Sequence, residues 1–130
     1  MQSFAEFMKT REAAATAYTK GDAAEVNSLT SDGSAVTFFG PDGSRTEGAA
    51  AVKRAYEGGA SQFGPNGKSR LEVLQQSEGG DIAYWSGIQH AEVDMKGVLK
   101  PMSLRITELF RRENGEWKLV HRHADIMKGD

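Results

Sequence analysis

The half of the chain after Ser69 alternates between long β-type runs and tight turns, and this pattern constrains the fold more than any other feature. The breaks between the runs are short and rich in glycine, at residues 79–81, 96–97 and 113–115. The last break contains Asn-Gly, the strongest short signal for a β-hairpin. The sequence therefore predicts a meander of four strands, over residues 70–77, 82–94, 102–112 and 116–127.

The part of the chain before this meander has helical patterns. Ser3 and Glu6 have the spacing of a capping box, and apolar residues then recur every three or four positions as far as Tyr18. Gly21 suits the end of this helix, and a shorter second helix follows at once. A short hairpin is expected over residues 35–47, and a third helix over 49–57, ended by two glycines. Helices first and consecutive strands last predict an α+β fold, with the helices on one face of the sheet.

Length and composition exclude several classes of protein. The chain has 130 residues, and we expect one domain over residues 1–130. A net charge of −2 without a basic stripe or a polybasic run argues against binding to nucleic acid or to an anionic membrane surface. Without cysteine, the chain has no disulfide, thiolate ligand or cysteine nucleophile. No apolar run approaches the roughly 20 residues that span a bilayer, and the N-terminus lacks the pattern of a signal peptide. We therefore expect a cytoplasmic protein.

Both faces of the predicted strands mix polar and apolar residues. A sheet with one wet face normally alternates cleanly between the two kinds. We therefore expect partial burial on both sides, with helices and a pocket on one side and a partner subunit on the other. A two-fold homodimer through the sheet is the simplest such assembly.

Three segments carry a resemblance to a known superfamily. They are Lys20-Gly21-Asp22, the run IAYWSG at residues 82–87 and the run GEWKLVHRHAD at residues 115–125. Together with the element order, they resemble the nuclear transport factor 2-like superfamily, and the last run is most similar to SnoaL-like proteins. The resemblance implies a cone-shaped, curved antiparallel sheet of five or six strands with a short N-terminal hairpin. It also implies three N-terminal helices packed on the sheet, an enclosed pocket for a hydrophobic small molecule, and no cofactor.

The resemblance does not extend to the catalytic set of ketosteroid isomerase, which has the same fold. A tyrosine on the first helix and an acid on the first strand do the chemistry there. The matching positions in this chain are Ala14 and Phe38, which cannot exchange a proton.

Three residues near the C-terminus are candidates for acid–base catalysis. His121, His123 and Asp125 share one face of a strand because their spacing is i, i+2, i+4. One interpretation is a general acid or base at the floor of the pocket, with a carboxylate orienting a histidine. The other is a structural group, hydrogen-bonded across strands or to a partner subunit. His90 could add a third metal ligand, but no ligand spacing is diagnostic, and we predict no metal site.

Glu108 is the fourth catalytic candidate, because it lies on an otherwise apolar face of its strand. Burial there would raise the pKa of its carboxyl group and suit it to general acid or base catalysis. The alternative is an ion pair with an arginine on a neighbouring strand, such as Arg122.

Candidate ligand contacts come from the other strand faces and from the aromatic residues. Arg105 and Thr107 share a polar face that lines either the pocket or a dimer interface. Tyr84, Ser86 and His90 share one strand face and could contact a ligand, whereas Trp85 and Gln89 would point to the opposite face. The aromatic side chains of Phe38 and Tyr56 either fill the core or surround a ligand. The candidates are Tyr84, Ser86, His90, Arg105, Thr107, Phe38 and Tyr56.

Two functions are consistent with these patterns. The first is a cofactor-free lyase, isomerase or cyclase that acts on a hydrophobic small molecule by acid–base catalysis. The second is a non-catalytic ligand-binding or dimerisation module of the same fold.

Overall fold

A computed structural model describes residues 2–33 and 35–129, and the predicted order of elements is confirmed in it. The helices are α1 (Phe4–Thr19), α2 (Ala24–Leu29) and α3 (Ala49–Ala60). A short hairpin, β1 (Thr37–Phe39) and β2 (Arg45–Glu47), precedes α3. The meander consists of β3 (Lys68–Gly79), β4 (Ile82–Met95), β5 (Val98–Glu113) and β6 (Glu116–Ile126).

The six strands form one curved, unclosed sheet in the order β2-β1-β6-β5-β4-β3. Neighbouring strands are antiparallel except β1 and β6, which pair in parallel with Thr37 opposite His121. The predicted curved antiparallel sheet is therefore confirmed, with one parallel junction between β1 and β6. A parallel pair needs a long connection, and here β2, α3 and the first three strands of the meander lie between the two strands.

The two predicted boundaries that differ most from the structure do so for local reasons. Strand β5 begins at Val98 rather than Met102, because Lys96 and Gly97 both have positive φ and close a two-residue turn, so pairing starts at once. Helix α3 continues through Gly58 and Gly59, which were expected to end it. The hydroxyl group of Tyr18 occupies the space that a side chain at Gly59 would need. Glycine at this position therefore allows α1 and α3 to pack closely and does not end the helix.

The helices cover the concave face of the sheet, and the main core lies between them. The inward residues of β5 are buried, whereas Arg105, Thr107 and Leu109, which alternate with them, are exposed. At one end of the core the rings of Phe4 and Phe110 pack with their centroids 5.1 Å apart. Within the described residues, no helix has the length and hydropathy required to cross a membrane.

Candidate functional site

A cavity of about 490 Å³ lies between the concave face of the sheet and the helices. Its walls are mostly apolar. Helices α1 and α3 contribute one side, strands β4 to β6 contribute the other, and the β1–β2 turn and the loop after α3 form the rim. Representative lining residues are Ala15, Tyr18, Phe38, Tyr56, Leu104 and Phe63.

Two arginines line this cavity because each lies on the inward face of its element. Arg11 falls on the apolar stripe of α1, one turn before Ala15 and two turns before Tyr18. Arg122 lies on β6 between His121 and His123, and strand alternation turns it inward while both histidines point outward. Both arginines are buried, with exposed fractions of 3% and 9%.

Glu108 connects the two arginines beneath the cavity and is completely buried. Its Oε1 accepts hydrogen bonds from Arg11 Nε at 2.9 Å and from Trp85 Nε1 at 2.7 Å. Its Oε2 accepts from Arg11 Nη2 at 2.9 Å and from Arg122 Nη1 at 2.8 Å. Four charge-assisted or indole hydrogen bonds therefore occupy all the lone pairs of the carboxylate.

The expectation of a raised pKa for Glu108 is wrong. Burial does act to raise the pKa of this carboxyl group, but the charges of Arg11 and Arg122 and their hydrogen bonds outweigh it, and the pKa falls to about 2. Glu108 is thus ionised at neutral pH and paired with Arg122, as in the alternative drawn from the sequence.

The remaining polar contacts of the cluster lead to β3. Arg122 Nη2 donates to Gln89 Oε1 at 3.1 Å, and Gln89 Nε2 donates in turn to Ser69 Oγ at 3.1 Å. Arg11 differs, because its Nη1 is buried and has no hydrogen-bond partner among the described residues.

Aromatic rings form much of the apolar wall. The rings of Phe38 and Tyr56 lie 5.0 Å apart between centroids, and those of Tyr18 and Tyr56 lie 6.4 Å apart. Burial raises the pKa of both tyrosines, and the positive charge of Arg122 offsets only part of this effect. Both phenols therefore keep their protons at neutral pH and can donate hydrogen bonds.

The structure separates the predicted site residues into two groups on opposite faces of the sheet. Phe38 and Tyr56 line the cavity, and Glu108 lies beneath it. The others lie on the outer, convex face, so the histidines and Glu108 do not converge on one void. Those on the outer face are His121, His123, Asp125, Tyr84, Ser86, His90, Arg105 and Thr107.

On the outer face these side chains pair across strands. Arg105 donates to both carboxylate oxygens of Asp125, at 2.6 and 2.7 Å. His90 Nε2 lies 2.7 Å from Glu72 Oε1. Contacts of this kind stabilise strand pairing, as in the structural interpretation of the C-terminal cluster.

The other outer-face contacts follow the same pattern. His121 Nδ1 lies 2.7 Å from Thr37 Oγ1, on the neighbouring strand β1. Partial burial, followed by the proximity of His123, lowers the pKa of His121. Tyr84 donates to Gln75 at 2.8 Å, and the hydroxyl groups of Ser86 and Thr107 lie 3.1 Å apart. Among the described residues no group of three or more His, Asp or Glu side chains has the arrangement of a metal site.

Sequence reasoning missed Arg11 and Gln89 as cavity residues and considered Arg122 only as a partner for Glu108. A signal for Arg11 was present, because a cation in the middle of the apolar stripe of α1 needs a buried anion. Glu108, on the apolar face of β5, is an anion that in turn requires a buried cation as its partner. Matching these two isolated buried charges would have predicted the pair.

Comparisons with known proteins agree on the fold. A structure from Streptomyces avermitilis, of the NTF2-like family and provisionally assigned as a dehydratase, has a TM-score of 0.74 at 23% identity, covering 87% of this chain and 88% of that one. An NTF2-like superfamily protein from Salmonella enterica has a TM-score of 0.73 at 16% identity, with 88% and 84% covered. A protein of unknown function with a cystatin-like fold from Nostoc punctiforme has a TM-score of 0.74 at 15% identity, with 97% and 92% covered.

At these identities the structural similarities concern the fold alone. No curated protein matches the chain in sequence. The SnoaL-like domain, however, matches residues 8–128, which include every residue that lines the cavity. The chain therefore belongs to the SnoaL-like domain family.

Proposed function

We propose that this protein binds a hydrophobic small molecule in the cavity between its helices and its sheet, without a cofactor. The observation that carries the proposal is the cavity itself, with a volume of about 490 Å³ and mostly apolar walls. Cavities that hold small ligands usually measure about 300–1,000 Å³ and combine apolar walls with a few fixed polar groups. The cluster of Arg11, Glu108 and Arg122 supplies such groups here.

Binding is better supported than acid–base catalysis. A general acid or base works best when its pKa lies near the working pH. The pKa of Glu108 is about 2, and burial raises the pKa of Tyr18 and Tyr56 above the ordinary value of 10.0. His121 and His123 lie on the far side of the sheet, where they do not reach a ligand in the cavity.

A cofactor-free lyase, isomerase or cyclase is the second candidate. The observation in its favour is the provisional assignment of the Streptomyces avermitilis relative as a dehydratase. In such a reaction, the Arg11 guanidinium and the protonated Tyr56 would stabilise negative charge that develops on the substrate. Turnover assays on compounds that bind in the cavity distinguish this candidate from a binding protein.

We further propose that the outer face of the sheet forms a homodimer. Leu74 and Leu109 on this face have exposed fractions of 65% and 40%. Leu74 lies in the same shallow depression as the paired charges of Arg105 and Asp125. A second copy related by a two-fold axis fits such a surface, because each charge can meet its opposite across the axis and the leucines can pack together.

Filling the cavity tests the proposed function. Replacing Ala55, which lines the cavity on α3, with phenylalanine should weaken binding of the neutral fluorescent probe N-phenyl-1-naphthylamine by about tenfold or more, because the new ring occupies the ligand volume. Fluorescence titration measures the affinity. Ala50→Phe, the same change at an exposed position of α3, is the matched control and should bind like wild type. Equal binding by both variants, or no binding by wild type, contradicts the proposal.

Removing the charge of Glu108 tests its role as a structural counter-ion. Glu108→Gln should lower the free energy of unfolding by about 3–5 kcal/mol at neutral pH, since it leaves two buried arginines without their anion. Urea denaturation measures this, with the exposed Glu116→Gln as control.

The loss of stability caused by Glu108→Gln should depend on pH. The folded-state pKa of Glu108 lies below its ordinary value of 4.5, so its stabilisation is present above that pH and is lost as the pH falls towards about 2. The difference in stability between wild type and Glu108→Gln should therefore shrink over this range. If the difference in stability stays constant over this pH range, Glu108 is not the ionised counter-ion of the two arginines.

A charge on the outer face tests the dimer. Leu74→Asp should convert a dimer into a monomer, because a carboxylate would be buried among apolar side chains of the partner. Light scattering coupled to gel filtration gives the mass of each species. Leu99→Asp, at the exposed β4–β5 hairpin, should leave the dimer intact. A monomeric wild type would contradict this part of the proposal.

A further inference from the structure

The buried cluster in the cavity wall has one positive charge that no carboxylate of the cluster neutralises. Two guanidinium groups, of Arg11 and Arg122, share the single carboxylate of Glu108, and all three residues are at most 9% exposed. The other acidic residue that lines the cavity within the described ranges is Asp42, which is exposed at the rim. An uncompensated charge inside an apolar cavity is costly unless a counter-ion approaches it.

The same cluster has one unused donor. Arg11 binds Glu108 through Nε and Nη2, which form one edge of the guanidinium group. Its Nη1 lies outside that edge and is buried without a partner among the described residues. In contrast, both Nη atoms of Arg122 are engaged, one by Glu108 and the other by Gln89. The surplus charge and the free N–H groups therefore coincide on Arg11, a residue of the cavity wall.

We propose that the ligand of this cavity is a monoanionic carboxylate with an apolar body, and that its carboxylate binds Arg11 through Nη1. The apolar body then lies along Phe38, Tyr56 and Leu104 in the remaining cavity. This inference rests on the proposed function and names the chemical class of the ligand.

The charge count selects a carboxylate over other ligands. A water molecule or a neutral amide satisfies the N–H groups but leaves the surplus charge in place. A phosphate dianion exceeds the single surplus charge and adds a buried negative one. One carboxylate neutralises the cluster, and its two oxygens can also accept the hydrogen bond that protonated Tyr56 offers from the same wall.

A matched pair of probes tests the inference on the wild-type protein. Naphthalene-2-carboxylate and naphthalene-2-carboxamide have nearly the same shape and differ in charge. Isothermal titration calorimetry at neutral pH should give an affinity at least about tenfold higher for the carboxylate. The preference should disappear in Arg11→Gln. Arg54→Gln, which removes the same charge from an exposed position of α3, should keep it.

Each outcome decides the inference. If the carboxamide binds as tightly as the carboxylate, or if N-phenyl-1-naphthylamine binds while the carboxylate does not, the carboxylate assignment fails and the proposed apolar-binding function stands. If none of the three probes binds, both fail. Should Arg11→Gln not fold, the comparison of the two naphthalene probes on wild type still decides, because it needs no variant.

Discussion

The ion cluster of Arg11, Glu108 and Arg122 is the interaction on which the rest of this structure depends. It ties α1 to the middle of β5 and to β6, and Trp85 adds β4 to the same carboxylate. Buried ions of this kind tolerate little displacement, because any lost partner leaves an uncompensated charge in the interior. The cluster therefore holds the first helix over the sheet at the point where the cavity begins.

This arrangement gives the two faces of the sheet different properties. The concave face combines aromatic and aliphatic walls with a buried ion cluster. The Glu108 carboxyl group of that cluster has a pKa of about 2, far from the neutral pH at which a general acid or base works best. The convex face carries cross-strand pairs such as Arg105–Asp125 among exposed leucines, which suits contact with another subunit. The alternation of each strand assigns every residue to one of these faces.

The sequence predicted the fold better than the site, and the reason is physical. Turn chemistry and alternation are local, so the Asn-Gly turn and the strand of Glu108 were recognised correctly. Which face of a strand points inward depends on packing between distant elements, so the sequence alone left open whether His121 and His123 line the pocket floor or make structural contacts on the sheet. Similarly, burial alone predicts a raised pKa for Glu108, whereas two arginines lower it, and one of them, Arg11, lies 97 residues away in sequence.

The charge state of Glu108 is the most direct test of this account. Carbon-13 labelling of glutamate carboxyl groups and NMR titration of the folded protein, with Glu108→Gln used to assign the resonance, report the pKa of this side chain alone. We expect the Glu108 resonance to stay in the ionised position from neutral pH down through the ordinary range of glutamate, with a midpoint near 2. A midpoint near neutral pH would contradict it and would return Glu108 to the position of a candidate acid–base catalyst.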